Sequence, residues 1–123
     1  MKIGGIFYLK KDNKLLVTTE GEFTFNLGKP KRQAEKNGAL GVAGFSAEAQ
    51  VPYVDGEIYD IESLDVEELL DTEDATITLE LYNGKTFFLY SAYFCGEGEN
   101  TTKGRLKVRF EGMGAEIKND KPS

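Results

Sequence analysis

The segment Thr76-Ile77-Thr78-Leu79-Glu80-Leu81-Tyr82-Asn83-Gly84-Lys85-Thr86 decides the fold class of this chain. Its first six residues alternate polar and apolar side chains, which is typical of a half-buried β-strand. Asn83-Gly84 predicts a two-residue type I′ hairpin turn, because both central residues of that turn need a positive φ angle. We expect the return strand to run from about Thr86 to Phe94. An antiparallel hairpin is therefore central to the predicted structure.

Lys14–Thr18 is a short strand candidate, and the same alternation predicts further strands at Glu22–Leu27 and Arg105–Phe110. The side chains that these strands and the hairpin direct inward form the predicted core: Phe23, Phe25, Ile77, Leu79, Leu81, Phe87, Leu89, Leu106, Val108 and Phe110. The outward side chains of the last strand form a basic stripe of Arg105, Lys107 and Arg109. We expect this stripe to pair with acidic residues of the same or another copy.

The longest alternating run covers Phe45–Tyr53 and predicts one continuous strand. Its apolar face carries Phe45, Ala47, Ala49, Val51 and Tyr53, opposite a polar face that includes Ser46, Glu48 and Gln50. Proline has no backbone N–H to donate, so Pro52 places the end of this strand at a sheet edge or a bulge.

One short helix is predicted around residues 63–70, where Ser63 or Asp65 is the candidate N-cap and acidic residues fill the first turn. The segment Gly28–Gly44 contains a proline, several glycines and four cations, and we expect an extended loop there. Residues 118–123 are predicted to be a flexible tail. The fold class is mainly β: one domain over residues 1–123, an antiparallel β-sandwich or barrel with one short flanking helix.

Composition excludes most catalytic and metal-binding classes. The 123 residues include no His and one Cys, which removes histidine-based acid–base chemistry, the usual zinc sites and any internal disulfide. Without a nucleophile–base pair we expect no catalysis, no metal and no cofactor, and Cys95 is interpreted as a small buried hydrophobe. No apolar run is long enough to span a membrane and no signal peptide is recognisable, so we expect a cytosolic chain without membrane anchoring.

The charge is unevenly distributed. The net charge is −6, which argues against a protein that binds nucleic acid by neutralising phosphates. Twelve acidic residues and no Lys or Arg lie between Asn37 and Gly84. The rest of the chain is basic on balance. This separation is suited to contact between copies of the chain, although on charge alone a solvated acidic helix with an ordinary surface elsewhere is the simpler explanation.

Three segments resemble the tail tube proteins of Mu-like contractile-tailed bacteriophages. They are the hairpin Leu79–Thr86, the strand and Gly-Glu pair at Ala92–Glu97, and the closing run Gly104–Met113 with its Val-Arg-Phe-Glu-Gly-Met sequence. The order of parts upstream also fits, and the match is weakest at Gly28–Gly44 and after Ile117. None of these motifs is a catalytic signature.

The resemblance implies a structural virion protein whose hexameric rings stack into the inner tube of a contractile tail. Its implied partners are copies of itself, the sheath, the tape-measure protein, and the baseplate, initiator and terminator proteins. DNA passes through the lumen without specific binding. The implied location is the virion tail, and the host cytoplasm during assembly.

Two groups of residues follow as candidate sites under this interpretation. Inter-ring contacts are expected between the basic loop and the acidic helix, at Lys29, Lys31, Arg32, Lys36, Asp65, Glu67 and Glu68. The lumen is expected to be lined by Ser46, Glu48 and Gln50. The alternatives left open are the tube of a phage-tail-like bacteriocin or other contractile injection system, a tail initiator or terminator, and, from another class, a small β-barrel enzyme or ligand-binding domain.

Overall fold

The computed structural model describes residues 7–37 and 41–119, and within these ranges it contains ten β-strands and one α-helix. The strands before the helix are β1 (Phe7–Lys11), β2 (Lys14–Leu16), β3 (Thr24–Asn26), β4 (Lys31–Asn37), β5 (Gly41–Glu48) and β6 (Tyr53–Tyr59). The helix α1 (Val66–Leu70) is followed by β7 (Ala75–Leu81), β8 (Lys85–Phe94), β9 (Arg105–Glu111) and β10 (Gly114–Asn119).

Of the ten described strands, eight form two antiparallel sheets that share β8, and β4 and β5 form a separate pair. In the first sheet, β2 pairs with β1, β1 pairs with β7, and the first half of β8 pairs with β7 and β10. In the second sheet, the end of β8 pairs with β9, which continues through β6 to β3. The register between β7 and β8 shifts between Ala75 and Ile77, and Ser91 on β8 has a φ angle of 52°. A positive φ is uncommon for a residue with a side chain, and together with the bulge it bends β8 from one sheet into the other.

The two sheets also meet on the opposite side. Beyond β2, the chain pairs with β6: Tyr59 N donates to Val17 O at 2.7 Å and Thr19 N donates to Glu57 O at 3.1 Å. These hydrogen bonds join the two sheets on this side, so that the strands surround one core. The prediction of a mainly β sandwich or barrel with a single short helix is confirmed for the described residues.

The core contains the side chains that the alternation directs inward. Seven of the ten predicted core residues are at most 2% exposed: Ile77, Leu79, Phe87, Leu89, Leu106, Val108 and Phe110. The other three, Phe23, Phe25 and Leu81, are partly buried and pack against this cluster. The alternating pattern therefore predicted the inner faces of the central strands correctly.

The helix is short and covers one part of this core. Asp65 is its N-cap, and its side chain accepts a hydrogen bond from Glu68 N at 3.1 Å, which satisfies one of the free N–H groups of the first turn. Leu69 is 2% exposed within the core, and Leu64 and Val66 pack against it. Of the two predicted N-caps, Asp65 is confirmed and Ser63 is wrong.

The prediction of one strand over Phe45–Tyr53 is wrong. Strand β5 ends at Glu48 and β6 begins at Tyr53, so the alternating run belongs to two strands with a break between them. Pro52 lies in the break, and its carbonyl accepts a hydrogen bond from Gly112 N at 3.1 Å. The missing N–H of the proline interrupts the ladder. Of the supposed apolar face, Ala47, Ala49 and Val51 are exposed and Tyr53 is partly buried.

The prediction of a loop over Gly28–Gly44 is also wrong. Residues 31–37 and 41–48 pair as an antiparallel hairpin, from Lys31 opposite Glu48 to Asn37 opposite Gly41. Strand β4 does not lie on the core and shows no apolar period-2 pattern by which it could be recognised, and in β5 the alternation begins only at Phe45. Residues 38–40 lie outside the described part of the chain, as do residues 120–123 of the predicted tail, whereas Lys118 and Asn119 end β10.

The hairpin turn at Asn83-Gly84 is of a different type from the one predicted. Gly84 N donates to Leu81 O at 3.1 Å, and Gly84 has a φ of 88° while Asn83 has no positive φ. The connection is therefore a type I turn followed by a left-handed glycine. The type I′ turn lies elsewhere, between β1 and β2, where Asp12 and Asn13 have φ angles of 49° and 70°.

We predict that Gly84→Val lowers the free energy of unfolding by about 1–2 kcal/mol, because a β-branched residue would have to adopt the left-handed conformation. Gly114→Val is the matched control: Gly114 has no positive φ, and a Cβ added to it would meet no atom within 4 Å. Thermal unfolding followed by circular dichroism measures both. Equal melting temperatures for the two variants would contradict the assigned turn geometry.

Candidate functional site

A two-stranded ribbon projects from the second sheet, and we call residues 29–50 the arm. It contains β4 and β5 and leaves the sheet between β3 and β6, where Asn26 pairs with Tyr53. Its root is tight: Gly28 has a φ of 77°, and a Cβ on it would lie 2.6 Å from Pro52 Cδ. Gln50 Nε2 donates to Lys29 O at 3.0 Å across the root. The two ends of the arm therefore lie close together at its root.

The arm has no layer packed on either described face. Lys31 and Arg32 point to opposite faces of the ribbon, as do Ser46 and Ala47, and all four residues are exposed. Strands β4 and β5 form a separate sheet that contains only these two strands. Because a two-stranded ribbon is marginally stable alone in water, the arm is suited to packing against another surface.

Two basic residues of the arm are available for contact. Lys29 and Lys31 are exposed and form no ion pair within residues 7–37 and 41–119. Arg32 is exposed on β4, whereas the side chain of Lys36 lies outside the described part of the structure. The residues expected in the lumen lie on the other strand of the arm or just after it: Ser46 and Glu48 on β5, and Gln50 at the root.

The acidic residues around the helix are equally unpaired. The segment 60–74, here called the acidic segment, contains eight Asp or Glu residues and no Lys or Arg. None of its carboxylates forms an ion pair with any described residue. Glu67 and Glu68 are exposed in the first turn of α1, and Asp65 caps it. Within the described chain, no ion pair joins Lys29 or Lys31 to these acids.

A cleft of about 750 Å³ lies at the C-terminal end of α1, beside the bend in β8. Its apolar lining includes Leu70, Phe94 and Met113, and Met113 is 82% exposed. Its acidic lining is formed by Asp71, Glu73 and Asp74. No sequence pattern predicts this cleft, because its walls come from distant segments that only the fold brings together.

The basic stripe on β9 is neutralised within the chain. Arg109 Nη1 lies 3.1 Å from Asp55 Oδ2, and Arg109 Nη2 lies 3.2 Å from Glu111 Oε2. Arg105 approaches Glu57 at 3.9 Å and Lys107 approaches Glu99 at 3.5 Å. We call this surface the charge ladder. Of the two expected partners of the stripe, the structure shows acids of the same copy.

The electrostatics of the charge ladder follow from its hydrogen bonds. Burial alone would lower the pKa of Arg109, but hydrogen bonds to Asp55 and Glu111 outweigh it and raise the pKa above its usual value. The hydrogen bond from Tyr93 Oη to Glu111 Oε1, at 3.1 Å, raises the pKa of Tyr93 because it stabilises the neutral phenol. Arg109 also stacks over the Tyr53 ring at 4.1 Å. The guanidinium is thus firmly held and stays charged.

Cys95 lies beside the charge ladder and is exposed, so the prediction of a buried cysteine is wrong. It follows directly after the end of β8, and its Sγ contacts Arg109 O at 3.6 Å. Partial burial of the thiol, followed by the negative charge of Glu111, raises its pKa above the usual value. Since the thiolate is the nucleophilic form, the group is accessible but weakly reactive.

We predict that iodoacetamide alkylates Cys95 at pH 8 more slowly than it alkylates glutathione, because less of the thiol is ionised. Glu111→Gln removes one cause of the raised pKa and is expected to move the pH midpoint of alkylation downward. Glu97→Gln, an exposed acid on the adjoining loop, is the matched control. Mass spectrometry measures the rates, and an upward shift with Glu111→Gln would contradict the assignment.

Among the described residues, no group of three or more His, Cys, Asp or Glu is placed to hold a metal ion. No helix in this part of the chain is long and apolar enough to cross a membrane.

Comparisons with known proteins identify relatives. The family model for phage tail tube proteins matches residues 1–116. No curated protein sequence matches the chain. Among solved structures, the chain resembles the sheath/tube terminator, in its extended state, of PVC, an extracellular contractile injection system. The TM-score is 0.64 and the sequence identity is 7%, and the match covers 91% of this chain and 92% of that one. It also resembles the tube-terminating cap of the anti-feeding prophage, with a TM-score of 0.64 and 10% identity, over 92% of this chain and 87% of that one. At these identities the two structures show a shared fold.

Proposed function

Since the chain belongs to the phage tail tube protein family, we propose that it is the repeating subunit of the inner tube of a contractile tail, in which hexameric rings stack into a hollow conduit. It is a structural protein of a phage-like tail and not an enzyme. A ring requires heterologous contacts that close around an axis, and stacking requires an open heterologous contact.

The observation that carries this proposal is the arm. Its described side chains are exposed on both faces, and it lies in a sheet of its own. A ribbon of this kind gains stability when it packs against another molecule, because the contact buries its faces and satisfies its free edges. In a tube, the neighbouring subunits supply such surfaces.

Charge supports the same contact. We place Lys29, Lys31, Arg32 and Lys36 of one copy against the acidic segment of a copy in the next ring, where the expected contacts are Asp65, Glu67 and Glu68. Among the described residues, neither Lys29 and Lys31 nor the carboxylates of the acidic segment form an ion pair, which supports this arrangement. Opposite charges on separate parts of one chain favour head-to-tail association over random contact.

The proposed lumen fits the passage of DNA. A conduit must not bind phosphate, and unpaired cations are the groups that bind it most strongly. The chain has a net charge of −6, and each cation of the charge ladder has a carboxylate within 4 Å. We place Ser46, Glu48 and Gln50 in the lumen as polar side chains, with Lys31 opposite Glu48 on the same face of the arm.

The remaining partners follow from the same role. The outside of the tube contacts the sheath, and the tape-measure protein fills the lumen during assembly. Baseplate or initiator proteins and the terminator bind the two ends of the tube. The subunit is proposed to assemble in the host cytoplasm and to reside in the virion tail.

A tube terminator is the second candidate, because both solved structures described above are tube terminators or caps. A terminator adds one ring to the end of a tube, whereas a tube subunit forms many. A tube from a phage-tail-like bacteriocin or another contractile injection system is a variant of the first proposal in which no DNA passes.

Negative-stain electron microscopy of the purified chain over a concentration series tests the proposal. We expect hollow tubes of uniform diameter whose length grows with concentration. Isolated rings that never stack would favour the terminator. A monomer at every concentration would contradict self-assembly.

A further inference from the structure

We propose that the cleft at the C-terminal end of α1 is the docking site for the arm of a second copy. The inference rests on the proposed function and names the receiving surface for the arm. It shifts the expected contact from the first turn of α1 to its last turn and the residues that follow.

The cleft offers both kinds of contact that a basic ribbon requires. Leu70, Phe94 and Met113 supply apolar surface, and the high exposure of Met113 indicates that nothing in the described part of this chain covers it. A flexible thioether adapts well to a docked surface. Asp71, Glu73 and Asp74 supply negative charge, and none of them has a cationic partner within the described residues.

The walls of the cleft are fixed before docking. Phe94 N donates to Thr72 O at 3.1 Å, which ties the segment after α1 to the end of β8. Met113 N donates to Tyr90 O at 3.0 Å and holds the other wall. A preformed site loses little conformational entropy when the arm enters.

The helix dipole of α1 favours the binding of cations at its C-terminal end. At the N-terminal end, Asp65 already accepts a hydrogen bond as the N-cap. Glu67 and Glu68 lie in the first turn, where the helix dipole stabilises negative charge. Cations are favoured at the C-terminal end, and there Asp71 is the C-cap residue of α1. The C-terminal end of this short helix thus adds to the attraction of Asp71 and Glu73 for the lysines of an arm.

The test is a charge-reversal pair, read out as the critical concentration for polymerisation in a pelleting assay. The arm variant is Lys31→Glu with Arg32→Glu, and the cleft variant is Asp71→Lys with Glu73→Lys. Asp74 is left unchanged because its φ of 54° tolerates few other residues. Each reversal is expected to raise the critical concentration about tenfold, since attraction is replaced by repulsion. The chain that carries both reversals is expected to return toward the wild-type value.

Two controls isolate the cleft. Glu20→Lys with Glu22→Lys changes the charge by the same amount at exposed positions that do not line the cleft, and is expected to polymerise like wild type. Lys31→Gln with Arg32→Gln removes these two arm charges without placing a second carboxylate opposite Glu48. Its critical concentration is expected to lie between those of wild type and the arm variant.

Two results would overturn the docking site while the proposed function stands. One is a cleft variant that polymerises like the Glu20 and Glu22 control. The other is a doubly reversed chain that polymerises no better than either single variant. If the wild-type chain itself never polymerises, the proposed function fails, and the docking site fails with it.

Discussion

Removing the arm is expected to leave a folded subunit that forms no tubes. The described part of the arm contributes nothing to the core, and its ends meet at the contact between Gly28 and Pro52. Replacing residues 29–51 with two glycines therefore closes β3 to β6 by a short loop without straining the barrel, and short loops are inexpensive to close. The melting temperature is expected to stay close to that of wild type. Polymerisation is expected to disappear, because the ribbon that bridges subunits is gone.

The matched control inserts the same two glycines after Gly28 and keeps the arm. Sedimentation velocity and electron microscopy compare both variants with the wild-type chain at one concentration. Tubes of normal length from the armless chain would contradict the role of the arm. A control that also fails to polymerise would show that the root, and not the arm, had been damaged.

Phe87→Ala is expected to destabilise the fold more than any other single change considered for this chain. Phe87 is 0% exposed in the core, and its ring centroid lies 4.9 Å from that of Phe25. Truncation leaves a cavity and removes an aromatic contact, so we expect a loss of about 3–5 kcal/mol in the free energy of unfolding. For a domain of this size the melting temperature should fall by roughly 10–20 °C.

Phe88→Ala is the control for Phe87→Ala, because the adjacent residue points to the outer face of the same strand. Its ring stacks on Tyr90 with centroids 6.1 Å apart and lies 5.3 Å from Lys118 Nζ. We expect this variant to lose about 1 kcal/mol. Urea denaturation measures both variants, and a larger loss at Phe88 than at Phe87 would contradict the assignment of inner and outer faces.

The sequence predicted the centre of the fold better than its periphery. Strands β7, β8 and β9 bury one face, so the alternation of Ile77, Leu79 and Leu106 with polar residues identifies them directly. The arm buries neither described face, and β4 accordingly shows no apolar alternation, so its residues are typical of a loop. Strand β6 was missed because Asp55, Gly56 and Glu57 carry polar or absent side chains at its centre.

The candidate site was predicted only in part. The basic character of the arm and the acidic character of the helix follow from residue types, and both belong to exposed surfaces. The cleft did not follow, because Met113 and Phe94 come near Asp71 and Glu73 only through the bend in β8. The prediction for Cys95 was wrong for a related reason: the apolar run before it ends at Phe94, where the strand ends.

Cryo-electron microscopy of the polymer assembled from the purified wild-type chain tests the central claim most directly. The account predicts a hollow tube of stacked sixfold rings in which each arm leaves its own barrel and packs on another copy, with its cations beside the acidic residues around α1. A single closed ring that does not stack, or a subunit whose arm folds back onto its own barrel, would contradict it.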